Sequence, residues 1–332
     1  MPIKEKIMKS LKEIVAGISL VLGIHPAVLA QQTAKVNAVN FSLGKEIRGR
    51  LWCGAGGWGG DVTYEIGGKV SYPDGTSETV NDPLSRLEWP LGVVAINLGG
   101  QCTLADRIDV YADGRVSVND PSGKMEDTDW LYTDDSDQPT IYSESDTELD
   151  AYSINGGMRI WLVDLSIGPR GRMRAGLGGG CIYQYMKWKT KESTQWSPWS
   201  VDNLQDAAAY HVKLTMPYAG LAAALEFKRF RVNVGLDAAP WLSVKDEDDH
   251  ILRHIKSETD ADGHGGRVRM EACFYFTSHI CALAHIEALY YKADGTEKDH
   301  VYAGDAEGES WEIDHSIESS QVSGSLALGL AF

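Results

Sequence analysis

Apolar and polar residues alternate with a period of two in stretch after stretch of this chain. Near the C-terminus Val322, Leu326, Leu328, Leu330 and Phe332 share one parity, and Ser323, Ser325, Ala327, Gly329 and Ala331 the other. In 149–162, Tyr152, Ile154, Met158, Ile160 and Leu162 oppose Ser153, Asn155 and Arg159. Phe230, Val232, Val234 and Leu236 oppose Arg231, Asn233 and Asp237, and Val268, Met270, Phe274 and Phe276 oppose Arg267, Arg269, Glu271 and Tyr275. Side chains on a strand alternate between faces, so each stretch predicts a β-strand with one apolar face. A soluble sandwich also alternates. Here the polar face carries charges on consecutive segments and the chain ends on an aromatic residue, the pattern of a membrane-spanning barrel with an apolar outside and a polar interior.

Strands are predicted over 61–72, 85–98, 102–115, 147–162, 170–187, 207–226, 228–244, 264–276, 280–292 and 317–332. Short connections are expected at Gly99-Gly100, near Gly168-Pro169, at Glu226-Phe227 and at Thr277-Ser278. Long polar ones are expected at 73–84, 116–146, 188–206, 245–263 and 293–316. Strict alternation of short turns and long loops fits an all-β fold: a ten-stranded antiparallel transmembrane β-barrel with both termini inside, short periplasmic turns and long extracellular loops. Such a sheet must close on itself, because lipid offers nothing to hydrogen-bond an open strand edge.

Residues 1–30 read as a secretory signal. Lys4, Lys6, Lys9 and Lys12 precede an apolar run from Ile14 to Ile24, and Val28-Leu29-Ala30 supplies a small-residue cleavage site. Residues 31–60 are expected to lead into a barrel over 61–332. Of 332 residues, 31 are basic and 47 acidic, and loss of the signal leaves a net charge of −18. So acidic a surface argues against nucleic acid and favours cationic partners. Five cysteines (Cys53, Cys102, Cys181, Cys273 and Cys281) exclude a fully paired disulfide set and form no metal-binding spacing. Cys273 and Cys281 read either as a pair across a turn or as small apolar strand residues.

The loops expected on one rim bring candidate chemistry together. Asp127 and Asp129 point to one side of an extended chain, as do Asp246, Asp248 and His250. Adjacent carboxylates resist double ionisation, and an aspartate beside a histidine fixes its tautomer and stabilises its cation. Such pairs across a cleft can activate a water. Asp-x-Asp also occurs at Asp135/Asp137 and Asp260/Asp262, and for any such loop pair taken singly, Asp127/Asp129 included, a solvated face or an adventitious calcium site is the plainer reading. His254, His264, His300 and His315 match His250 by type alone.

Four landmarks together resemble the omptin family of outer-membrane proteases. They are Leu87-Glu88-Trp89, Asp127-Thr128-Asp129-Trp130, Met216-Pro217-Tyr218-Ala219-Gly220-Leu221, and Trp241 followed by Asp246, Asp248 and His250. The resemblance implies an aspartic-type endopeptidase in the outer membrane with its site facing outside. Asp248 and His250 would form a dyad, Asp127 and Asp129 the facing pair, and water the nucleophile, with no metal. It implies peptide or protein substrates, a single barrel acting alone, and no cofactor beyond lipopolysaccharide, which typical members need. Asp246 matches a carboxylate that binds a basic substrate side chain, and Lys213 matches one lipopolysaccharide-binding residue. The departures are Tyr72 where the family has a second substrate-binding acid (Asp74 and Glu78 are near), Tyr183 and Tyr185 where an acid and an arginine are sought, and the cysteines. An inactive barrel serving as an adhesin or ligand-binding protein is the alternative. A porin is disfavoured, since ten strands leave an interior filled by side chains.

Asp248 and His250 share parity with the outward Val232, Val234 and Leu236. They reach the interior only if the register changes between, and Pro240 is the place expected.

Overall fold

The computed structural model describes residues 47–131, 139–167, 170–197, 201–205, 208–251 and 253–332. The signal segment 1–30, most of the expected lead-in, the Asp135/Asp137 pair and the Gly168-Pro169 turn lie outside them. The described chain is β-structure in fourteen strands. These are β1 (Ile47–Ser71), β2 (Ser77–Thr79), β3 (Ser85–Pro90), β4 (Val93–Leu104), β5 (Ile108–Ser117), β6 (Met125–Asp129) and β7 (Ile141–Ile167). After them come β8 (Gly171–Ser197), β9 (Val201–Gln205), β10 (Ala209–Phe227), β11 (Phe230–His250), β12 (Ile255–Tyr275), β13 (Ile280–Val301) and β14 (Ser310–Ala331).

All pairings are antiparallel. Followed through them, the sheet runs β1–β14–β13–β12–β11–β10–β8–β7–β5–β4, and β4 pairs with β1 again. β3 and β6 continue β4 and β5 beyond short breaks, pairing with each other and with β1 and β7.

Near the short turns the outward face is apolar, with Leu221, Leu236, Val322, Leu326, Leu328 and Leu330 all exposed. The inward face there carries ions, and these are paired, as burial of charge demands. Arg267 is wholly buried; its Nη2 lies 2.7 Å from Asp237 Oδ2 and its Nη1 3.4 Å from Glu287 Oε2. Its guanidinium also sits 4.1 Å from the centre of the Tyr218 ring. Arg50 meets Glu271 at 2.6 Å, Arg231 meets Asp109 at 3.0 Å, and Arg115 reaches Glu287. These groups fill the interior below the rim.

The strands differ from the expected segments in ways that have physical causes. β1 begins at Ile47 rather than 61, because its glycines hide the alternation. Gly99 and Gly100 are not a turn but lie within β4, opposite Trp52 and Leu51. A Cβ at Gly99 would fall 2.2 Å from the Trp52 indole, so this glycine makes room for a ring. The turn itself is Ala105-Asp106-Arg107, with φ of 47° at Ala105 and 57° at Asp106. No glycine or asparagine marks it. The turn expected at Glu226-Phe227 falls instead at Lys228-Arg229. The segments 245–263 and 293–316 are mostly strand: β11 and β12 meet at a tight turn after His250, and β13 extends to Val301. Their polarity reflects strands standing above the apolar band, with water outside and polar partners inside.

The register of β11 does change at Pro240. Ala239 pairs with Gly265 but Leu242 with Gly263, so β11 carries one residue more than β12. Below the bulge Asn233, Asp237 and Ala239 are buried; above it Leu242, Val244, Asp246 and Asp248 are.

Candidate active site

The bulge turns Asp246, Asp248 and His250 inward above Trp241, the outermost exposed apolar residue of β11. Nε2 of His250 lies 2.8 Å from Oδ2 of the buried Asp248. Asp127 and Asp129 come from β6, which the sheet holds between β3 and β7. Arg253, in the turn after β11, donates from Nη2 to Asp129 Oδ2 at 2.9 Å. The two pairs, about 120 residues apart in sequence, therefore meet around one space.

Their electrostatics reflect that proximity. Burial and the charge of Asp129 raise the Asp127 carboxyl to about 7, against the opposing effects of His250 and Arg253. Burial alone would lower His250, but the charge and contact of Asp248 outweigh it, helped by Asp127, and raise the imidazole to about 9. The arrangement can hold a water between a carboxylate pair and an imidazole and move its proton. Among the described residues no group of three or more His, Cys, Asp or Glu side chains is placed to hold a metal ion. All five cysteines are free thiols, with Cys273 and Cys281 buried.

An aromatic slab lies beside and below the dyad. Trp89 stacks on Tyr210 with centroids 5.4 Å apart, Trp188 on Tyr210 at 6.0 Å, and Tyr64 meets Tyr210 edge-on at 5.6 Å. Trp188 Nε1 donates to the Pro90 carbonyl at 2.8 Å. The Trp of Leu87-Glu88-Trp89 and the Met and Tyr of the Met216–Leu221 run are thus packing elements, with Tyr218 also donating to Asn155 at 2.7 Å.

Asp246 is buried within this slab. Tyr210 donates to its Oδ2 at 2.9 Å, and Nε2 of His315 lies 3.3 Å from the same oxygen. Tyr64 packs edge-on against the His315 ring at 4.9 Å and donates to Glu297 Oε2 at 2.6 Å. Burial and the adjacent Asp299 push Glu297 well above the usual carboxylate range, and burial pushes Asp299 upward too, with Ser257 donating to it.

Tyr72 is elsewhere. It is exposed at the end of β1 and its hydroxyl donates to Glu78, while Asp74 bonds Thr76. The tyrosine that β1 directs toward the Asp246 cluster is Tyr64. Lys213 lies on the outer wall of β10, 3.4 Å from Glu247 and opposite Lys245 on β11. Tyr185 stacks on Tyr152 at 5.4 Å on the outward face of β7 and β8. Asp260 and Asp262 point to solvent. Arg253, Tyr64, Glu297 and Asp299 were not singled out in the sequence, and His315 was named there by residue type alone. Arg253, Glu297, Asp299 and His315 lie in stretches read as loops, and beyond residue type only the position of Arg253, three residues after His250, offered a signal.

The omptin family profile matches residues 74–332. The plasminogen activator of Yersinia pestis is 25% identical over 241 residues, 67% of this chain and 73% of that protein. The crystal structure of the outer membrane protease OmpT from Escherichia coli superposes with a TM-score of 0.70 at 17% identity, covering 90% of this chain and 100% of that one. With an all-β antiparallel fold like that of OmpT and a family match over most of its length, the chain belongs to the omptin family and is a protein of the outer membrane.

Proposed function

We propose that this protein is an omptin-like endopeptidase: a closed ten-stranded barrel that spans the outer membrane and hydrolyses peptide bonds at its outer rim. The observation that carries the reading is the Asp248–His250 contact at 2.8 Å with Asp127 and Asp129 brought to the same space by Arg253. His250 acts as general base toward a water, Asp248 orients its ring and stabilises the imidazolium, and the Asp127/Asp129 pair holds the water or takes its proton. The amide carbonyl is attacked directly, without a covalent intermediate. Strong net negative charge draws cationic peptides or proteins to the rim. Lys213, beside Lys245 on the outer wall, supports a contact with lipopolysaccharide phosphate.

The test is cleavage of a mixed peptide library by the folded barrel, with and without lipopolysaccharide, beside an Asp248→Ala/His250→Ala variant. Cleavage confined to the native protein is expected. A folded barrel that cuts nothing under either condition would turn the assignment to a binding protein on an omptin shell.

A further inference from the structure

The carboxylate best placed to receive a substrate side chain is already occupied from within, and this inference rests on the peptidase reading above. Asp246 and Asp248 are alternate residues of β11, so Asp246 lies one two-residue step below the dyad, roughly 7 Å deeper. An extended arginine or lysine flanking the scissile bond has about that reach. Yet Oδ2 of Asp246 meets the Tyr210 hydroxyl at 2.9 Å and the His315 imidazole at 3.3 Å. The His315 side chain is wholly buried, and neither ring nitrogen has an aligned hydrogen bond. A buried histidine kept for structure is ordinarily fixed by hydrogen bonds through its nitrogens. His315 is held instead by packing on Tyr64, whose own hydroxyl is committed to Glu297. What its nitrogen approaches is the carboxylate that a substrate cation would seek.

We propose that His315 is a specificity-determining residue: its imidazole stands at Asp246 in place of a substrate cation, so the position flanking the cleaved bond takes a short uncharged side chain rather than arginine or lysine. A guanidinium entering there would have to displace the imidazole and part it from Tyr64. General attraction of cationic peptides to the acidic rim is a separate effect and is retained.

The full-length folded barrel is tested as the native protein, His315→Ala and His315→Ala/Asp246→Asn, with folding confirmed by heat-modifiable migration. His315→Ser carries the same test where the alanine variant does not fold. On the peptide library the native protein is expected to cut beside small uncharged residues. His315→Ala should raise cleavage beside arginine relative to alanine by roughly tenfold or more, and the added Asp246→Asn should cancel the gain. A native protein that cuts beside arginine or lysine as readily as His315→Ala overturns the proposal.

Benzamidine gives a second readout that needs no turnover. It should raise the unfolding temperature of His315→Ala and leave that of the native protein unmoved; equal stabilisation of both, or of neither, overturns the proposal. Absence of all cleavage would sink the peptidase reading alone, since the benzamidine comparison still decides whether His315 fills a cation pocket.

Discussion

Arg253 donates to Asp129 across 2.9 Å, linking the turn after β11 to the strand that carries the facing acids. Its positive charge also lowers the proton affinity of both Asp127 and His250. Replacing it by methionine removes that effect, so both groups should bind protons more tightly and the pH–rate profile of Arg253→Met should move to higher pH. Half of the side chain is solvent-exposed, so the displacement should be about one pH unit or less. A drop in kcat/KM with an unmoved profile would mean that Arg253 only anchors the turn.

His250 ionises at about 9 in the free protein, so below that pH it is mostly an imidazolium. As general base it must first lose this proton. The expected profile of kcat/KM therefore climbs about tenfold per pH unit toward 9 and then levels. A bell rising through about 7 and falling above about 9 would instead give the base role to Asp127 and make His250 the acid.

Asp127 places function and stability in opposition. Its folded-state pKa, about 7, lies above the ordinary 3.8, so the ionised carboxylate is less favourable in the folded barrel than in the unfolded chain. The cost is absent below about pH 4 and complete above about pH 7. Asp127→Asn should then be more stable than the native protein at pH 8, on the order of 1–3 kcal/mol, and nearly equal to it at pH 4. Its activity should fall by about 10²-fold or more. Unfolding midpoints at the two pH values check the sign.

In the lower barrel, Arg267→Leu leaves Asp237 and Glu287 without their shared buried cation. Loss of roughly 3–5 kcal/mol is expected from urea unfolding in lipid vesicles. Turnover per folded molecule should hold, because Arg267 lies below the Pro240 bulge and away from the dyad.

The parts of the fold that could be read from the sequence were those with large alternating side chains. Val322 to Phe332 and Phe230 to Asp237 gave strands that the structure keeps. The stretch from Leu51 to Gly60 was missed because its glycines serve close packing, and a glycine opposite Trp52 looks in one dimension like a turn. Polarity misled above the apolar band: Glu297, Asp299 and His315 lie on strands, but nothing outside them is lipid, so the sequence there reads as loop. The dyad and its facing acids were legible because i and i+2 share a face. The residues that surround Asp246 come from β1, β10, β13 and β14, and only the closure of the sheet brings them together.

The extra residue at Pro240-Trp241 sets a phase for everything beyond it on β11. In genetic terms, an in-frame loss of the single Trp241 codon would only remove the bulge and leave Asp246, Asp248 and His250 facing inward, whereas one codon gained between Val244 and Asp246 would send all three to the outer wall. Point substitutions along β11 act one side chain at a time. One added codon there would empty the site in a single mutational step, with each of its side chains still encoded.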